Sequence, residues 1–149
     1  ILAPQPKFML LVKEIKNFFL PFYKSKKTKK ILQILNSDGN NQAMFVGGCV
    51  RNFLRKEKIT DIDIATTLTP NDIIKKFENS EIKVKKTGIE HGTLTLLYDD
   101  QKYEITTLRK DVSTDGRHAN VEYTENWKQD SERRDFTINA IYLDQKGKF

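Results

Sequence analysis

Two stretches decide the reading of this chain: Ala43-Met44-Phe45-Val46-Gly47-Gly48-Cys49-Val50-Arg51-Asn52 and, a little further on, Asp61-Ile62-Asp63-Ile64-Ala65-Thr66. Residues 43–46 predict a short strand, Gly47-Gly48 a turn, and the stretch from about Cys49 to Arg55 a helix. Residues 61–65 predict a second strand, in which Asp61 and Asp63 leave one sheet face while Ile62 and Ile64 point into the core. Carboxylates so paired suit a hard divalent cation such as Mg²⁺, which takes oxygen ligands and accepts substrate phosphates as further ones; the same pair also serves capping and solvation. A glycine pair between strand and helix lets the backbone approach a phosphate and aims amides at it, or makes a plain tight turn. Arg51, one helical turn after Gly48, suits bidentate phosphate contact or simply covers the helix surface. The ordered combination is more specific than any of its parts.

Around this centre the chain has 149 residues, which suits one domain, and its 38% hydrophobic and 31% charged residues describe a globular protein with a core. Disorder throughout, a collagen and a membrane bundle are excluded. The net charge of +6 is unevenly placed: residues 1–60 hold 12 Lys/Arg against 3 Asp/Glu, residues 61–149 hold 14 against 17. A basic front joined to a mildly acidic back fits a polyanionic partner held near carboxylates, or a lysine-rich solvated surface. Cys49 is the only cysteine, so there is neither an intramolecular disulfide nor a thiolate-clustered zinc site, and a reducing, cytoplasmic setting fits. The apolar stretch Phe8–Tyr23 is broken by Lys13, Glu14, Lys16 and Asn17 and reads as neither a membrane span nor a signal peptide.

Apolar spacing predicts an amphipathic helix between Lys7 and Leu20, ended by Pro21, then a basic connector over Lys24–Lys30 and a short helix over 31–35. A helix from Pro70 to Glu78 is expected, with Thr69 as its N-cap. Period-two patterning predicts strands at 82–84, 93–98 and 103–108, the last two forming a hairpin. Residues 109–130 lack periodicity and read as a mobile loop that orders on substrate binding. A last helix, Glu132 to Ala140, is expected after a Ser131 or Asp130 cap, before the apolar Ile141-Tyr142-Leu143. The fold class is α+β, a mixed β-sheet with flanking helices: an N-terminal helix and basic linker over 1–30, then one domain over 31–149.

Residues 45–52 with 61–66 resemble the first signature of the bacterial-type CCA-adding enzyme and poly(A) polymerase family, within the polymerase-beta-like nucleotidyltransferases. Arg133-Arg134-Asp135-Phe136-Thr137-Ile138-Asn139-Ala140 is similar to its second signature, and Gly88–Thr93 and Tyr103–Arg109 resemble the intervening pattern. The resemblance covers roughly residues 43–144 and implies that Asp61 and Asp63 bind two Mg²⁺ ions, with Glu104 as a third carboxylate. It implies that Gly47, Gly48 and Arg51 hold the triphosphate of CTP or ATP and that Arg134 also contacts the nucleotide. It gives Asp135 and Asn139 the ribose pocket, at i, i+4 on one helix face. An RNA 3′-hydroxyl, most naturally that of a tRNA, would then be deprotonated on one metal and attack the α-phosphorus, with the second metal at the departing pyrophosphate.

Other meanings stand beside these. Arg133 and Arg134 can pair with Glu132 and Asp130 on the surface, and Asn139 can cap or pack. His91 orders a turn, His118 belongs to the loop, and Cys49 packs. The chain departs from the family at Asn52, where aspartate is usual. The family's Glu-Asp-x-x-Arg nucleotide-selecting segment and tRNA-binding helical domains are not in it, so it resembles a catalytic head whose remaining parts come in cis or from a partner. Poly(A) addition is the alternative activity. A noncatalytic basic RNA-binding module, built on the lysine-rich front and Lys83–Lys86, is a third reading, which leaves the carboxylates unexplained.

Overall fold

Alternation of apolar and polar residues builds one mixed five-stranded sheet from β1 (Ala43–Phe45), β2 (Ile62–Thr66), β3 (Lys83–Gly88), β4 (Thr93–Tyr98) and β5 (Gln101–Thr107), in the order β1-β2-β5-β4-β3. The computed structural model describes residues 20–39, 41–112 and 120–149. β2 and β5 run parallel, and the other neighbours are antiparallel. Ile62, Ile64, Leu94, Leu96, Tyr103 and Ile105 leave one face of this sheet and are buried against helices α1 (Lys26–Leu35) and α3 (Pro70–Phe77) through Ile31, Leu32, Leu35, Ile73 and Phe77. The α+β class and the mixed sheet expected from the sequence are therefore present. Among the described residues no helix is long and apolar enough to cross a membrane.

Local chemistry explains the helix starts. Thr69 and Asp72 form a reciprocal capping box at α3, with Pro70 in its first turn. α2 (Gly48–Leu54) follows β1 directly, with Gly47 as its N-cap. Leu143 extends the sheet beyond β1 through an antiparallel bridge to Phe45.

Three expectations need correction. The basic run over Lys24–Lys30 is not a connector: Lys26–Lys30 form the first half of α1, because Ser25 caps it by accepting from the Thr28 N–H and Thr28, 1% exposed, meets the buried Tyr103 hydroxyl at 3.0 Å. The segment assigned to an N-terminal linker thus contributes a helix to the main core. Residues 109–130 are not one loop: β6 (Arg109–Val112) pairs with β7 (Asn120–Tyr123), and α4 (Trp127–Glu132) follows, capped by Asn126 rather than Ser131 or Asp130. The helix expected over 132–140 does not exist as such. α4 ends at Glu132 with Arg133 as its C-cap, and Thr137–Ala140 form a separate 3-10 turn held in place by packing on α2. The helix expected over 7–20 lies, but for its last residue, outside the described residues, as does His118.

Candidate nucleotidyl-transfer site

The face of the sheet opposite the core helices carries the site. Asp63 leaves β2 on this face, and the parallel register sets it directly beside Glu104 of β5. Asp61, just before β2, shares their side by alternation and is exposed. Asp63 is the half-buried member. Burial, then the negative charges of Glu104 and Asp61, push its carboxyl up to about 6, against the opposing pull of Arg134 and Lys102. These three acidic groups therefore share one electrostatic neighbourhood.

The glycine turn lies over the same carboxylate. Gly47 has φ 72° and ψ −140°, a conformation open to glycine, and a Cβ there would come within 3.4 Å of Asp63 Oδ2. The Val46 N–H donates to the Asp63 carbonyl at 3.0 Å, so turn and carboxylate are joined through the backbone. A Cβ on Gly48 would stand 3.5 Å from Arg51 Nη2, which places that guanidinium against the turn, as its spacing predicted. Cys49 packs as expected: it is 2% exposed, its thiol donates to the Val46 carbonyl at 3.2 Å, and burial pushes it up to about 11.

Asn52 occupies the departure from the family pattern with a definite task. Its Oδ1 accepts from Arg51 Nε at 3.3 Å and its Nδ2 donates to the Lys58 carbonyl at 3.0 Å. An aspartate could make the first bond but not the second.

On the other flank, Ala65 projects on Asp63's face and packs with Val46, Leu108, Trp127 and Tyr142, which seats α4 beside the carboxylates. Arg134 follows α4, and its positive charge reaches Asp63. The surface pairing considered for Arg133 and Arg134 is replaced by a buried one, since both bind Asp130, which is 0% exposed. Asp135 lies exposed after Arg134, and Asn139 is half-buried in the 3-10 turn against α2. The two are not on one helix face.

Sequence reasoning names Asp130 only as a cap or surface partner and leaves Arg109 and Tyr142 without a part in the site. Helical spacing from Asp130 to Arg133 and Arg134 is the available signal. His91 acts through its backbone, as expected of a turn: its carbonyl accepts from Arg109 Nη1 at 3.0 Å while its ring is exposed. Beside Glu104 the open sheet face forms a trough of about 570 Å³, lined in part by Lys85, His91, Thr95 and Lys102.

Strand, glycine turn and helix over a carboxylate pair on a five-stranded mixed sheet define a nucleotidyltransferase-like head. The family model of the Poly A polymerase head domain matches residues 43–149, and the chain belongs to that family. It is 44% identical over 115 residues to the mitochondrial CCA tRNA nucleotidyltransferase 1 of Mus musculus, an alignment covering 76% of this chain and 26% of that one. The structure of the Bacillus stearothermophilus CCA-adding enzyme in complex with CTP matches with a TM-score of 0.66 at 37% identity, over 79% of this chain and 27% of that one. A tRNA nucleotidyltransferase complexed with a primer tRNA and an incoming ATP analogue matches with a TM-score of 0.58 at 28% identity, over 76% and 30%. The chain thus spans less than a third of the length of each of these relatives.

Proposed function

We propose that this chain is the catalytic head of a CCA-adding tRNA nucleotidyltransferase, which transfers CMP and AMP from CTP and ATP to a tRNA 3′ end. The observation that carries the reading is the parallel register of Asp63 with Glu104 beneath the Gly47 turn, with Arg51 and Arg134 on either flank. The activities named for the relatives support it, and the family resemblance favours tRNA over other RNA.

The division of labour follows from the geometry. Gly47 keeps a side chain away from Asp63 and Gly48 keeps one away from the Arg51 guanidinium, so a triphosphate can lie close to the backbone. Arg51 from α2 and Arg134 from beyond α4 supply positive charge for it from two sides. The ribose is assigned to Asp135 and Asn139 on the family resemblance, and the turn holding Asn139 packs on α2, the helix that carries Arg51. The RNA 3′-hydroxyl loses its proton to solvent and attacks the α-phosphorus in line, the new O–P bond forms, and the bond to pyrophosphate breaks without a covalent enzyme intermediate.

Asp61, Asp63 and Glu104 fit a hard divalent cation by their chemistry. All three are oxygen donors, and Asp63, whose proton affinity is raised first by burial and then by the negative charges of Glu104 and Asp61, is a carboxylate that a cation would neutralise. Among the described residues no three of His, Cys, Asp and Glu already close on a common point. Two Mg²⁺ ions bound there would supply charge neutralisation at the attacked phosphate and the leaving pyrophosphate.

The test is to supply the intact protein with tRNA lacking its terminal CCA, or with an unstructured RNA, in CTP alone, in ATP alone and in both together, with and without Mg²⁺. Mg²⁺-dependent addition of CMP to the tRNA from CTP alone, and of AMP only when CTP is also present, is expected. Addition of AMP to either RNA from ATP alone would assign poly(A) synthesis instead, and no incorporation would favour a binding module.

A further inference from the structure

Asp130 lies outside every signature residue discussed so far, yet it is the most densely bonded side chain described near the site. It is 0% exposed, and both its oxygens are occupied. Oδ1 accepts from the Arg109 backbone N–H at 3.2 Å and from Arg133 Nε at 3.1 Å. Oδ2 accepts from Arg134 Nε at 3.2 Å, Arg134 Nη2 at 3.1 Å and the Tyr142 hydroxyl at 2.5 Å. The Arg134 guanidinium also stands 5.8 Å from the centre of the Tyr142 ring, and that ring packs edge-on against Trp127 at 5.1 Å.

Two guanidiniums share this one carboxylate, so the cluster keeps a net positive charge, and the charge of Arg134 is felt at Asp63. A buried ion pair contributes little to stability over a well-packed apolar substitute. What this one does contribute is direction, because a fork of two bonds to one oxygen, with an aromatic ring beneath, removes most of the rotamer freedom of a long arginine.

We infer that Asp130 is a positioning residue for nucleotide binding: from behind the site it fixes the Arg134 guanidinium at the place where the incoming triphosphate lies. The inference rests on the reading of Arg134 as a nucleotide contact. Asp130 itself touches no substrate and acts through the arginine.

The experiment measures kcat and nucleotide KM of the intact enzyme for Asp130→Asn, Arg134→Ala and the double variant, with a thermal melt of each. Asp130→Asn keeps shape and size but turns a donor toward the guanidinium, and loss of a charge-assisted bond of this kind predicts a nucleotide KM raised about tenfold with kcat within about twofold. The double variant should then match Arg134→Ala alone, since the two act as a unit. An unchanged KM for Asp130→Asn with only a lower melting temperature or kcat, or additive effects in the double variant, would overturn the inference. An unchanged KM for Arg134→Ala would remove the nucleotide-contact reading first and the inference with it. If Asp130→Asn does not fold, Tyr142→Phe decides, because it removes one bond to Oδ2: a KM raised about threefold that vanishes in the Arg134→Ala background supports the role, and an unchanged KM rejects it.

Discussion

Asp63 is a group whose surroundings favour its protonated form, and this gives its substitution two opposite effects. With its folded pKa raised to about 6, its contribution to stability is present at low pH and is lost as pH rises through that value. Near pH 7.5 in a chelator, Asp63→Asn should therefore raise the unfolding free energy by about 1 kcal/mol, a figure discounted for partial exposure, while abolishing nucleotide incorporation. A urea titration in which the variant is less stable than the parent contradicts the first effect. Retained incorporation contradicts the second. Gly47 and Gly48 should differ for reasons of backbone alone. Gly47→Ala forces an L side chain to φ 72° and should cost about 1–2 kcal/mol. Gly48→Ala meets only the flexible end of Arg51 at 3.5 Å and should leave stability nearly unchanged. Equal melting temperatures for the two variants would show that the turn is not strained in this way.

At the scale of elements, α1 is joined to the sheet by a polar bond inside an apolar interface. Thr28→Val removes one of the two side-chain partners of the buried Tyr103 hydroxyl, leaving Ser25, and should cost about 1 kcal/mol in denaturant unfolding. A neutral result would mean that Ser25 alone satisfies the hydroxyl. The elements also separate what is legible in the sequence from what is not. The strand that carries Asp63 with Asp61 just before it, the glycine turn, the Thr69 cap and the hairpin of β4 and β5 are readable because each is written in residues close together in sequence. The start of α1 is hidden because its opening stretch, Lys26–Lys30, is mostly lysine, while its reason for being there is Thr28 meeting Tyr103 across the core. The pattern over 132–140 suggests too long a helix because the seating of Asn139's turn on α2 is tertiary. Both outcomes follow from long-range contacts overriding local pattern. The pairing of Asp130 with Arg133 and Arg134 is local and its spacing is readable, whereas its burial by the Arg109 backbone and Tyr142 is not.

For the whole molecule, the basic excess of the first 60 residues is less uniform than its arithmetic implies. Lys27 pairs with Asp99 and Asp100, and Lys30 pairs with Glu81, whereas Lys24, Lys26 and Lys29 are exposed. If the front faces RNA, replacing Lys24, Lys26 and Lys29 by glutamine should flatten the slope of log affinity against log salt by about 0.7–0.9 for each phosphate no longer neutralised. Replacing Lys27 and Lys30 should change that slope far less. Filter binding of tRNA over a range of KCl concentrations checks the contrast, and equal effects from both sets would show that the RNA does not pass α1.

The bond from the Val46 N–H to the Asp63 carbonyl reaches further than the site. Because it belongs at once to the pairing of β1 with β2 and to the entry of the glycine turn, the spacing between the turn's backbone and the Asp63 Cα is a dimension of the sheet. Turn and sheet then melt together. Hydrogen exchange at the Val46 amide should proceed only through opening of this edge of the sheet, so that its protection reads out whether the backbone on which Gly47 and Asp63 stand is still in register.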